Sequence, residues 1–347
     1  MNSPRGRLVL RAPNWVGDLV MATPVIEAAM AQGGWSDVRV VVREHLAPLL
    51  ADAPWWDRVE AVGSSAEELA RYRELAPEAI LLLSNSFGAA WRAWRAGARW
   101  RAGTALSGRR LFLTHHCTPP TRAGRRVPVP TAHLLRDVAG LFGIEVPSLH
   151  PRLHVRPALE ATAKAELVAA GLGTEEPFVL CCPGAAFGAA KLWRPERFAE
   201  VLDRLHERHG WRGVVTGGPG EEDLMRAVAS AATHRCLHLA DGPRGLEGLK
   251  ALVRSARLLL VGDSGPRWVA AAFDVPCVSV MGPNFPELTA TSLEHALVVR
   301  QAGLACSPCL QRTCPLGHHR CMEDLGVESV VEAAEEVLAR APEPAPV

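Results

Sequence analysis

The first half of the chain alternates short unbroken apolar runs with stretches of helical period. "RLVLRAP" reads as a buried strand, and "NWVGDLVMATPVIEAAMAQ" continues it through a turn into a helix. "VRVVV" predicts a second strand, "AEELARYREL" a helix and "EAILLLSN" a third strand. Continuous apolar strands separated by helices indicate parallel βαβ units buried on both faces. "PPTRAGRRVPVPT", residues 119–131, predicts a surface loop, and "VPSLHPRLHVRP" carries three prolines and no helical period, which marks a domain boundary. The pattern then restarts. "FVLCCPG", "RGVVTGG", "RLLLVG" and "PCVSVMG" predict strands, alternating with the helices "ERFAEVLDRLHERHG", "EEDLMRAVASAA", "LEGLKALVRSA" and the segment after Gly265. Phe198, Val201, Leu202 and Leu205 share one helical face, and Gly210 is a C-cap signal. A last amphipathic helix, "VESVVEAAEEVLARA", precedes a Pro-rich tail. The expected architecture is α/β: two doubly wound parallel-sheet domains, residues 1–155 and 156–347, facing across a cleft. Ligands should bind beyond the C-terminal strand ends.

Length and composition agree. A chain of 347 residues, 48% apolar and 22% charged, suits two globular domains rather than a disordered or membrane-embedded protein. The first residues lack a signal-peptide core, and no window offers about eighteen uninterrupted apolar residues. A cytoplasmic protein is therefore expected, with its nine cysteines reduced. Net charge is +1, yet residues 1–150 hold eighteen arginines against thirteen acids. Between Arg92 and Arg126 lie nine arginines and no acid, although the whole chain has only three lysines. That run is either a solvated face or a surface for an anionic partner such as phosphates, acidic sugars or a membrane. Trp91, Trp94 and Trp100 accompany it at spacings that fit one helix face. No interleaved RNA-stacking motif appears, so nucleic acid is not an expected partner.

Four turns carry candidate chemistry. In "PNWVGDLVM", Asp18 stands at a helix start, where unpaired N–H groups stabilise an anion; it is either a helix-start acid or a catalytic group. In "CCPGAAFGAAKLWRPERF", small residues permit close approach of a ligand to the backbone, and Lys191 supplies a compact ammonium in an arginine-dominated chain. "VTGGPGEED" places Glu221 and Glu222 in a helix's first turn, where they complement the dipole or, as Glu222 could, accept hydrogen bonds from ribose hydroxyls. In "LVGDSGPRWVAAAF", Ser264 and neighbouring N–H groups could hold a phosphate or sugar hydroxyl, while Asp263 either caps the helix or binds sugar.

Taken together, "APNWVGDLVMATP", "SNSFGAAWRAWRAGARWRAG", "PGAAFGAAKLWRPERFAE", "GDSGPRWVAAAF" and "MGPNFPELTA" resemble, in order, the bacterial lipopolysaccharide heptosyltransferases of glycosyltransferase family nine, heptosyltransferase II type. The resemblance covers roughly residues 7–340. It implies the GT-B architecture of two Rossmann-like domains, with the acceptor on the N-terminal domain and the donor nucleotide on the C-terminal one. It further implies inverting transfer of L-glycero-D-manno-heptose from ADP-heptose to the lipopolysaccharide inner core, without a cofactor for catalysis. Asp18 would be the base, next to Gly17. Lys191 would contact the donor diphosphate, and Asp263, Ser264 and Gly265 the donor phosphates and sugar, with Glu222 beside them. Asn14, Gly17, Arg109 and Arg110 would serve the anionic acceptor, and the protein would lie peripherally on the inner face of the inner membrane. One departure stands out: Trp268 occupies a position where the family usually has His, so that residue's donor contact does not carry over. Packing is the favoured account of Trp268. A family member with another nucleotide sugar or acceptor, or a non-catalytic metal-stabilised nucleotide-binding protein, are the alternatives.

"CSPCLQRTCPLGHHRCM" adds Cys306, Cys309, Cys314 and Cys321, with His318 and His319 nearby. Four thiols beginning with CxxC could hold a structural zinc, although spacings of four and six residues are not those of a common zinc module. Free thiols and redox pairing are the other readings.

Overall fold

The computed structural model describes residues 6–239 and 245–341; the first five residues and the Pro-rich tail fall outside that range. The chain divides into two compact units. One is Met1–His154 with Glu287–Thr291, the other Val155–Pro286 with Ser292–Val347.

The first unit runs β1 (Arg7–Arg11), α1 (Val16–Ala31), β2 (Asp37–Arg43), β3 (Val59–Val62), α2 (Ser65–Leu75), β4 (Ala79–Leu82), α3 (Phe87–Arg95), β5 (Trp100–Thr104), β6 (His115–Cys117), β7 (Thr121–Arg122), β8 (Arg125–Arg126) and α4 (Thr131–Gly140). Its six-stranded sheet has the order β3-β2-β1-β4-β5-β6, parallel throughout. The second unit runs α5 (Pro157–Ala169), β9 (Phe178–Cys182), α6 (Pro195–His209), β10 (Arg212–Val215), α7 (Glu222–Ala231), β11 (Leu237–His238), α8 (Leu246–Ser255), β12 (Leu258–Gly262), α9 (Pro266–Ala272), β13 (Cys277–Val280), β14 (Ala296–Val299), α10 (Arg320–Glu323) and α11 (Val327–Arg340). Its sheet repeats the order as β11-β10-β9-β12-β13-β14, again parallel. Both sheets are therefore Rossmann-like, and the order reverses beside β1 and β4 in one and beside β9 and β12 in the other. Those are the points where open α/β sheets bind ligands.

Local chemistry explains several elements. Pro24 lies inside α1 and cannot donate to the carbonyl of Val20. The Thr23 hydroxyl donates to that carbonyl instead at 2.8 Å, and accepts from the Arg152 N–H at 2.9 Å. α2 begins with a capping box: Ser64 Oγ accepts from Glu67 N at 3.1 Å, and the Glu67 carboxylate accepts from Gly63 N at 2.9 Å. α6 ends on Gly210 in the left-handed region at φ 72°, where glycine carries no Cβ penalty. Its face Phe198, Val201, Leu202 and Leu205 is buried with Val215, Leu258, Val278 and α11.

Periodicity missed the short elements. β5 and the sheet-edge strands β3, β6, β11 and β14 are not picked out, and α4 and α5 follow Pro-rich stretches. The expected loop 119–131 contains the β7–β8 antiparallel ladder. Trp100 lies on β5 rather than on the helix that bears Trp91 and Trp94. Among the described residues, no helix is long and apolar enough to cross a membrane.

Candidate active site

In the second unit, three strand-end turns converge. Lys191 follows β9 and is almost buried, as is Asp263 at the end of β12, each 9% exposed. The Lys191 ammonium lies 2.6 Å from Asp263 Oδ2 and donates to the Asp263 carbonyl at 3.3 Å. Asn284, in the turn after β13, donates to the same carboxylate oxygen at 2.8 Å. Asp263 thus accepts from a cation and an amide, and its carboxylate points at Lys191. Ser264 and Gly265 follow it directly and are half-buried. Lys191 also stands 4.8 Å from the centre of the Phe187 ring. Its charge is therefore held at one place on the C-terminal side of the β9–β12 pair, where a diphosphate could share it.

The glycine turn after β10 sets the two adjacent acids apart. Glu222 accepts from Gly220 N at 3.1 Å and serves its own helix start. Glu221 accepts from Gly218 N at 2.8 Å, and a Cβ placed on Gly184 would collide with its carboxylate. Glu221 therefore lies across the ends of β9 and β10, against the loop that leads to Lys191, and the sequence order of two adjacent acids could not show which one turns that way.

In the first unit, Asp18 lies in the first turn of α1 and is half-buried. The turn before it is fixed from below. Arg11, fully buried at the end of β1, donates to Asn14 Oδ1 at 2.8 Å and to the carbonyl of Ala12. Arg11 is held in turn by buried Glu68 at 3.2 Å, which also meets Arg92 at 3.1 Å, Arg43 at 3.4 Å and the Tyr72 hydroxyl at 3.1 Å. Burial alone would raise the Glu68 carboxyl, but Arg11 and Arg92 hold it below the usual range. Asn14 and Gly17 so belong to a turn whose backbone is braced by a buried ion cluster.

The two acceptor arginines part company. Arg110 is exposed. Arg109 is fully buried, and its guanidinium donates to Thr104 and Ser84 carbonyls, to Thr104 Oγ1 and to Asn85 Oδ1. Burial lowers its pKa to about 10. A side chain spent on four internal acceptors braces the β4 and β5 ends and does not meet a ligand directly. Arg92 is likewise internal, so the acid-free arginine run is partly structural.

A family model described as glycosyltransferase family 9 (heptosyltransferase) matches residues 70–320. The chain belongs to glycosyltransferase family 9. Over 96% of its length it is 26% identical to lipooligosaccharide heptosyltransferase 2 of Haemophilus influenzae, covering 99% of that protein. It is 32% identical to lipooligosaccharide heptosyltransferase 2 of Campylobacter jejuni over 45% of this chain, a match that spans about half, 49%, of that relative. Among solved structures, Escherichia coli ADP-heptose LPS heptosyltransferase II shares the fold with a TM-score of 0.76 at 23% identity, covering 96% of this chain and 98% of that one.

Within this family 9 chain the structure overturns one expectation. Cys306, Cys309, Cys314 and Cys321 are free thiols. Among the described residues, no group of three or more His, Cys, Asp or Glu side chains is arranged to hold a metal ion. Burial raises the Cys321 thiol pKa, and Cys309, Cys314 and Cys306 lie near enough for their charges to raise it further. Yet the four are not arranged as a ligand set among the described residues, so a structural zinc is unsupported. The segment instead braces the site. The Cys309 and Leu310 N–H groups both donate to the Pro283 carbonyl, beside Asn284. Ala190, next to Lys191, donates to the Arg312 carbonyl at 3.0 Å and accepts from His319 Nε2 at 2.7 Å. Trp268 is buried, with the Arg267 guanidinium 4.5 Å from its ring centre, as packing requires. Sequence reading named Glu221 only beside Glu222 and missed Asn284 and Arg11. Only Asn284 had a signal, its place in the glycine turn "MGPNFP" after a strand.

Proposed function

We propose that this chain is an inverting heptosyltransferase that moves L-glycero-D-manno-heptose from ADP-heptose to the lipopolysaccharide inner core, Kdo-lipid A or its heptosylated form. The observation that carries the reading is the Lys191–Asp263–Asn284 cluster at the β9–β12 switch point. In a member of family 9, a buried, oriented ammonium at that position suits a nucleotide diphosphate. ADP-heptose is named in the description of the Escherichia coli enzyme that shares the fold.

In this reading Asp18 is the base. It accepts the proton of an acceptor hydroxyl while that oxygen bonds to the anomeric carbon. The bond from that carbon to the diphosphate oxygen breaks with its electron pair, and ADP leaves from the opposite face, which inverts the centre. Lys191 neutralises the charge that grows on the leaving diphosphate, held in place meanwhile by Asp263. Ser264 and Gly265 border the same phosphates. Glu221 takes the ribose role that Glu222 was expected to fill, since its carboxylate lies across the strand ends. Asn14, Gly17 and Arg110 border the acceptor. The acceptor is anionic and lipid-anchored, so the protein works peripherally at the cytoplasmic membrane face. The N-terminal unit would bind this acceptor and the C-terminal unit the donor.

The test is incubation with ADP-heptose and heptose-deficient lipopolysaccharide, with release of ADP as the readout. Release dependent on both substrates is expected, and comparing Kdo-terminated with monoheptosylated acceptors assigns the step. No release with either acceptor refutes the reading.

A further inference from the structure

Helix α3 is amphipathic the wrong way round for a core helix. Ala89, Ala90 and Ala93 face inward against Val9, Tyr72, Leu75, Ile80 and Leu82. The outward stripe is Phe87, Trp91 and Trp94, at i, i+4 and i+7, exposed by 49%, 37% and 48%. The large apolar side chains of this helix are thus the ones in water. They are not scattered. Phe112, from the short turn Arg109–Phe112, meets Phe87 edge-on at 5.3 Å and Trp94 at 5.7 Å between ring centres. Beside it Leu111 is 88% exposed. Contiguous apolar surface of this kind marks an interaction site rather than ordinary surface.

Cations adjoin the patch. Arg95 stands 5.3 Å from the Trp91 ring centre and is exposed, as is Arg110 next to Leu111. No Asp or Glu occurs between Glu78 and Asp137. Tryptophan, phenylalanine and leucine edged by arginine is the composition that seats a surface helix in the headgroup layer of an anionic bilayer.

We propose that the α3 face and the Leu111 turn form the surface by which the protein docks on an anionic lipid bilayer. Leu111, Trp91 and Trp94 enter the headgroup–acyl boundary, and Arg95 meets lipid phosphates. This deepens the membrane location in the proposed function and rests on it only for the identity of the membrane.

The experiment is co-sedimentation of the full chain with vesicles of phosphatidylcholine alone or mixed with phosphatidylglycerol, with ADP binding and oligomeric state measured in parallel. Wild type should pellet with the anionic vesicles and be released by salt. Trp94→Ser with Leu111→Ser should lower partitioning about tenfold or more, since burying one such side chain is worth roughly a decade or more. Arg95→Glu should lower it on anionic vesicles specifically. Both variants should keep ADP affinity. Wild type failing to pellet, or variants pelleting like wild type, overturns the proposal. So does a patch variant that changes only oligomeric state, or only the KM for a delipidated acceptor. ADP release from ADP-heptose is read separately, so failure of the docking surface and failure of the proposed reaction are told apart.

Discussion

Replacing Glu68 by Gln tests the buried cluster beneath the Asp18 turn. Glu68 is completely buried and meets Arg11 at 3.2 Å, Arg92 at 3.1 Å and Arg43 at 3.4 Å. The glutamine amide nitrogen would face guanidinium donors, and three arginines would be left with no carboxylate at their centre. Removing one partner of a buried ion pair costs about 3–5 kcal/mol. For a unit of this size that corresponds to a Tm lower by roughly 6–20 °C. Denaturant melts followed by hydrogen exchange at β1 and β4 amides would measure it, and exchange should also quicken at residues 14–18, because Arg11 would no longer hold Asn14 rigidly. The pH dependence has a definite sign. The folded Glu68 carboxyl titrates below its ordinary value, held there by Arg11 and Arg92 against the effect of burial. Its contribution is therefore complete above the unfolded glutamate pKa, about 4.3, and drains as pH falls through the folded value. Wild type should lose its advantage over the variant across that acid window. A loss below about 1 kcal/mol at pH 7 would refute the reasoning, since that is the range of an exposed pair.

The other predictions follow from the site. Asp18→Asn should lower kcat by about 10²–10⁴ while ADP affinity stays within a few-fold, as steady-state rates and calorimetry would show; unchanged turnover removes the base. Lys191→Ala should weaken ADP binding by roughly ten- to a hundred-fold, the worth of a hydrogen bond to a charged group; unaltered affinity takes Lys191 out of the donor site. His319→Ala, which breaks the 2.7 Å bond to the Ala190 carbonyl, should raise the donor KM and not the acceptor KM, and His319→Gln should recover most of it. Cys314 accepts from the N–H groups of His319, Leu316, Gly317 and His318, which lower its thiol pKa. Mass-resolved alkylation near neutral pH should therefore label it before Cys321, whose thiol burial pushes up.

Periodicity was enough for the long elements. The strands β1, β2, β4, β9, β10, β12 and β13 follow apolar runs, and α1, α2, α6, α7, α8 and α11 show helical spacing or caps. The edge strands β3, β11 and β14 are defined by their pairing along the sheet edges. Lys191, Asp263 and Ser264 were legible as glycine-marked strand ends. Their partnership was not, since 72 residues separate Lys191 from Asp263 and only the β9–β12 adjacency closes that gap.

By itself, then, the sequence determined the two-fold repetition of a parallel α/β pattern, the turns that bear the chemistry and the arginine excess, all of which are local or compositional. The tertiary structure decided what depends on direction and neighbourhood. It laid Glu221 rather than Glu222 across the strand ends, turned Arg109 and Arg92 inward, left the cysteines without a metal-ligand arrangement among the described residues, and put the aromatic stripe of α3 in water. Spacing along a chain says which residues share a face; only packing says whether that face is turned to the core or to solvent.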